Sequence, residues 1–300
     1  MHFAPSQEWT PLVDPRRSTV EKLVKEAPKT GRLELHYKSG IWGDDQKKIP
    51  GLIQAARPLP LTGLRLVNLY AKHSSDREIR DYSDTAPALC DLTKTIFPEL
   101  AAASWLSLDT LEVIHAEDGL VATRSLKGAA CFEGLRRFVL EEHTKLPSWL
   151  RLPEARELVL ESIGYGVEKA IMTLVSSAPN LEVLWLDRAG PEIVKALGSS
   201  SFLSGMMKAL GKAPFLPKLR SLALTNTLAE PDILALAELD RPFEHLDLRY
   251  SRMGEKGALA LATSPTIAQC GSLDLRNNEF PDAIAARFRE HLGDRVLFDQ

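Results

Sequence analysis

Cysteine is scarce: three residues, Cys90, Cys131 and Cys270, occur in a chain of 300. An odd, widely separated set builds neither a disulfide framework nor a C-x-x-C metal site, so a reducing cytoplasm is the expected compartment. Long apolar runs are missing as well, since nowhere do about 18 apolar residues follow one another, and no membrane span is expected. The opening residues, MHFAPSQEWTPLVDPRR, have no basic start followed by an apolar stretch and do not read as a secretory leader. Charge of one sign is also absent. A net charge of −3 and a pI near 6.2 argue against a nucleic-acid binder, which needs a strongly basic face to displace counterions.

The signatures of catalysis are missing too. No G-x-S-x-G, G-x-x-x-x-G-K-[ST], H-E-x-x-H or strand-borne G-x-G-x-x-G is present. Cys131 and His143 fall in one segment, but nothing nearby in sequence lowers the thiol's pKa. Glu141, Glu142 and His143 are consecutive, and neighbours on a strand point to opposite faces, so they would not converge on a metal. The expectation is therefore a chain with no catalytic residue, no metal and no cofactor, and not an enzyme.

What the sequence does have is a repeat. Cys270-x-x-Leu273-x-Leu275-x-x-Asn278-x-Phe280 fills every slot of L-x-x-L-x-L-x-x-N-x-L, and Phe243-x-x-Leu246-x-Leu248-x-x-Ser251-x-Met253 follows with Ser for Asn. Earlier copies begin at Leu219, Leu181, Ala155, Leu135, Leu108 and Leu64 (as Leu64-x-x-Val67-x-Leu69), and a weaker one at Leu33-x-Leu35 opens the array. From Val67 onward the steps are 44, 27, 20, 26, 38, 24 and 27 residues. Each L-x-L is a short strand whose leucines face one way, and no single copy can bury them alone, so neighbours stack over a shared core. The Asn slot turns its amide toward backbone groups where the chain leaves the strand, and only Asn278 provides this.

Helices are predicted between the strands. Val167, Ala170, Ile171, Leu174, Val175 and Ala178 form an apolar stripe. Pro191, Pro231 and Pro281 stand before similar stripes, and Gly293 offers a helix stop. The expected fold class is α/β, a curved parallel sheet lined on the outside by helices. Gly254-x-x-Gly257-Ala258-x-Ala260-Leu261-Ala262 resembles the helical half of ribonuclease-inhibitor-type leucine-rich repeats, including the bacterial versions. The resemblance covers roughly residues 60–300. It implies a leucine-rich-repeat solenoid, a horseshoe with parallel strands on the concave face and helices on the convex face, which binds proteins on its concave side. The missing Asn and irregular repeat lengths imply irregular curvature.

Two domains are expected: an N-terminal helical cap over 1–30, with Ser18-x-x-Glu21 as a capping box, and a repeat domain over 31–300 with insertions near 72–104 and 199–217. Lys72–Asp84 reads as a solvated loop. Phe202, Leu203, Met206, Met207 and Leu210 read as core. Residues around Arg295–Phe298 are expected to form a last strand.

Strand alternation predicts the outward columns. The residue between the two leucines runs Glu34, Asn68, Glu112, Val139, Val159, Trp185, Ala223, Asp247, Asp274. The next column runs His36, Tyr70, Ile114, Glu141, Glu161, Asp187, Thr225, Arg249, Arg276. An apolar centre at Val139, Val159 and Trp185 beside three acids, Glu141, Glu161 and Asp187, with Arg137 nearby and Arg249 and Arg276 beyond, is the expected partner-binding surface. Trp185 either stands open as an anchor or lies under the 199–217 insertion. The expected function is recognition of a partner protein, as inhibitor, immunity protein, scaffold or adaptor, by a chain that is monomeric when free. The rival is a regulatory activator of a GTPase or other enzyme, acting through a repeat loop.

Overall fold

The computed structural model describes residues 10–12, 31–37, 49–68, 100, 102–104, 106–114, 129–143, 146, 150–163, 168–188, 210–239, 241–251, 253–279 and 281–299. The expected helix near Ser18, the 72–84 loop, Pro191 and the apolar stripe from Phe202 to Met207 lie outside them. The chain divides into two compact units, 1–155 and 156–300.

In the first unit the described strands are β1 (Thr10–Leu12), β2 (Arg32–Tyr37), β3 (Gly63–Asn68), β4 (Thr110–Ile114) and β5 (Arg137–His143). Each pairs in parallel with the next in chain order. The helices α1 (Ile49–Ala55) and α2 (Ala130–Glu133) connect them. Leu33, Leu64, Leu111 and Phe138 occupy one register row at 0–3% exposure. A wholly parallel sheet needs a crossover between strands, and the repeat supplies one each time. The segment expected to be a helical cap contains a strand, β1, whose Thr10 and Leu12 align with Leu33 and Leu35.

One copy is displaced from its expected frame. Leu64 and Leu66, not Val67 and Leu69, align with Leu111 and Val113. Both are buried, at 1% and 0%, and Leu61, at 8%, fills the first slot. The segment Leu-Thr-Gly-Leu-Arg-Leu-Val-Asn-Leu satisfies the template in two frames three residues apart. Packing selects the frame that buries two leucines, and Arg65 then stands where Asn68 was expected.

The second unit holds β6 (Glu157–Ile163), β7 (Val183–Arg188), β8 (Ser221–Thr225), β9 (His245–Asp247), β10 (Ser272–Asp274) and β11 (Val296–Leu297), again parallel and in chain order. The row Leu158, Leu184, Leu222, Leu246, Leu273, Val296 is buried at 0–7%. Between the strands lie α3 (Glu168–Ser176), α4 (Glu230–Ala237), α5 (Gly254–Ala262), α6 (Pro265–Ala268) and α7 (Asp282–Leu292). In the expected α3 stripe, Ile171, Leu174, Val175 and the following Ala178 are buried at 0–2%. Pro231 sits in the first turn of α4, where its missing N–H costs nothing. Asp232 folds back onto the Ala229 N–H at 3.3 Å. Gly257 lets α5 approach α4, because a Cβ there would meet Ile233 Cγ2 at 3.3 Å. Gly293 ends α7 at φ 56°, a left-handed conformation that favours glycine.

Two backbone devices recur. Where a strand begins, the preceding carbonyl accepts two N–H groups from the next repeat: Arg156 O takes Glu182 and Val183, Glu182 O takes Arg220 and Ser221, and Arg220 O takes Glu244 and His245. The side chains of those four residues form an exposed alternating ladder, with Glu182 bound by Arg156 at 3.1 Å and by Arg220 at 2.7 Å, and Arg220 reaching Glu244 at 3.5 Å. Where a strand ends, Asn226, Tyr250 and Asn277 hold the same repeat position at φ 53°, 56° and 61°. One residue later comes the Asn slot. Asn278 Nδ2 donates to Leu248 O at 2.9 Å and Leu275 O at 2.8 Å, as its place in the repeat led one to expect. Its counterparts Thr227 and Ser251 are buried with no hydrogen-bond partner for their hydroxyls among the described residues.

Asn278→Ala removes the donor to two inner carbonyls and is expected to lower stability by about 2 kcal/mol. Ser251→Asn, which restores that donor one repeat earlier, is expected to raise it by about 1 kcal/mol. Urea unfolding checks both.

Candidate functional site

The residues between the strand leucines point to the face opposite the core. In the first unit this wall is built around Glu112, which is 3% exposed. Its Oε2 accepts Arg65 Nε at 2.6 Å and its Oε1 accepts Arg137 Nε at 2.9 Å. Arg65 also donates Nη1 to Glu34 at 2.8 Å. Strand register produces this chain: Glu34, Arg65 and Glu112 are direct neighbours on β2, β3 and β4, and Arg137 joins diagonally from β5. Next to it Arg32 donates to Thr110 Oγ1 at 3.2 Å and lies 3.6 Å from Asp109. A carboxylate so far from water needs such cations beside it.

In the second unit Val159, Trp185 and Ala223 are aligned on β6, β7 and β8. Trp185 is half-buried. Asp187, two residues on, accepts the Thr225 hydroxyl at 2.5 Å. Further along, a short pattern repeats. Arg249 clasps Asp247 through Nε at 3.0 Å and Nη2 at 2.8 Å, and Arg276 clasps Asp274 at 3.0 and 2.7 Å. Each aspartate also takes the backbone N–H of its arginine, at 3.1 and 3.2 Å. Residues two apart on a strand share a face, which is why Asp-Leu-Arg closes on itself. Burial pushes the Asp274 carboxyl up, but hydrogen bonds from the Arg276 side chain and backbone outweigh it, leaving it below the usual carboxylate range. Arg249 is held above its ordinary value, chiefly by its hydrogen bond to Asp247. His245 Nδ1 lies 2.8 Å from Ser272 Oγ on the neighbouring strand.

The expected apolar centre is corrected in one respect. Val139 and Val159 are 6% and 5% exposed, and Ala223 is 2%. The residue between the leucines is hemmed in by neighbours about 4.8 Å away on adjacent strands and by the columns on either side. The exposed area therefore lies in those flanking columns, where Glu141, Glu161, Asp187, Arg249 and Arg276 are all half-exposed, and at Trp185. Arg137 is likewise half-exposed, but it is engaged by Glu112. Val159 and Trp185 are brought together, as are Arg249 and Arg276, whereas Arg249 and Arg276 serve their own aspartates first. The missed participants are Arg65, hidden by the displaced frame, and Asp247 and Asp274 as arginine clasps, which the doubled Asp-Leu-Arg could have disclosed.

The buried thiols are not poised for reaction. Burial pushes Cys131 up to about 12 and Cys270 up to about 11, and Cys270 fills its apolar slot at 0% exposure. Among the described residues no group of three His, Cys, Asp or Glu side chains could hold a metal ion, and no helix is long and apolar enough to cross a membrane. No family model matches the chain, and no curated protein matches it.

Glu112→Ala takes from Arg137 the carboxylate that holds its Nε and leaves Arg65 with Glu34, and is expected to lower stability by about 2 kcal/mol, a value discounted because both guanidiniums reach some solvent. Glu34→Ala, at the solvated end of the same chain, is expected to cost under about 1 kcal/mol. For Asp274, a folded pKa below the unfolded value of about 3.9 means stability that is present above that pH and fades as pH falls through the folded value. Asp274→Asn is therefore expected to be destabilising near pH 7 and progressively less so as pH falls through the folded value, as read from denaturant midpoints along a descending pH series.

Proposed function

We propose that the chain is a leucine-rich-repeat solenoid and a binding module rather than an enzyme, using the strand face opposite its leucine core to hold a partner protein. The single observation that carries this is Trp185. It is the large aromatic between the strand leucines among the described residues, it lies on a parallel strand in register with Val159 and Ala223, and it keeps part of its surface exposed. An indole on a stiff support is the kind of anchor that dominates interface energy, since it contributes a large apolar area at little cost in rotamer entropy. Around it on β6 and β7 stand Glu157, Glu161 and Asp187, so a partner with an apolar knob and basic surroundings fits this part of the face.

What supports this reading is the wall's construction. In the second unit, which holds Trp185, its charges are tied into hydrogen-bonded pairs on β9 and β10, which leaves a preorganised surface. Preorganisation lowers the entropic cost of association.

Trp185→Ala is expected to weaken binding of the partner isolated by native affinity purification by about 2 kcal/mol, roughly 30-fold, while thermal stability changes little. Titration calorimetry on wild type and variant measures it, and equal affinities reject the proposal.

A further inference from the structure

We draw no further inference here: the strongest candidate, the exposed turn at the end of β9 that holds Tyr250 in the left-handed region, carries nothing, because nothing in the structure shows what covers it.

Discussion

No copy of the repeat can bury its own two strand leucines, and the rest of the structure follows from that constraint. Leu64 and Leu66, Leu111 and Val113, Leu184 and Leu186, and Leu222 and Leu224 reach 0–1% exposure only because a parallel neighbour covers each flank. A fully buried leucine is worth about 2 kcal/mol, so every strand is stabilised by the strands beside it more than by anything within its own repeat. The same alternation that sends the leucines inward sends Arg65, Glu112, Trp185, Asp247 and Asp274 to the other face. There they stand in rows set by strand register.

Charges in those rows crowd together at strand spacing, and the two units resolve the crowding differently. The first couples charges across strands, Glu34 to Arg65 to Glu112 to Arg137, which fastens the register of four strands through one buried carboxylate. The second couples them along a strand, Asp247 to Arg249 and Asp274 to Arg276. Cross-strand pairing uses both edges of a guanidinium, as Arg65 does. Pairing along the strand uses one edge, through Nε and Nη2, and Arg249 Nε also lies 3.7 Å from Asp274 on the next strand.

Much of this was legible from the residues. The leucine slots from Leu108 onward, the α3 stripe, the Gly293 stop and the amide of Asn278 all follow from periodicity and turn chemistry. The frame of β3 did not, because Leu61 and Leu64 both satisfy the first slot and only packing against Leu111 separates them. Nor did the burial of Val139 and Val159, since alternation gives a side chain's direction but not the height of its neighbours. Strain at Tyr250 was invisible for a related reason. Its backbone angle is imposed by the two turns beside it, and nothing in the residue itself announces a left-handed position.

The alternating column Arg156, Glu182, Arg220, Glu244 has a consequence for how such an array can change length. The four hold the same place just before β6, β7, β8 and β9, and within this run neighbouring members carry opposite signs. Excising one interior unit would set two arginines or two glutamates side by side, turning attraction into repulsion. Excising two in succession restores the alternation. Parity is thus written into this edge, and gain or loss of units here is tolerated more readily in pairs than singly.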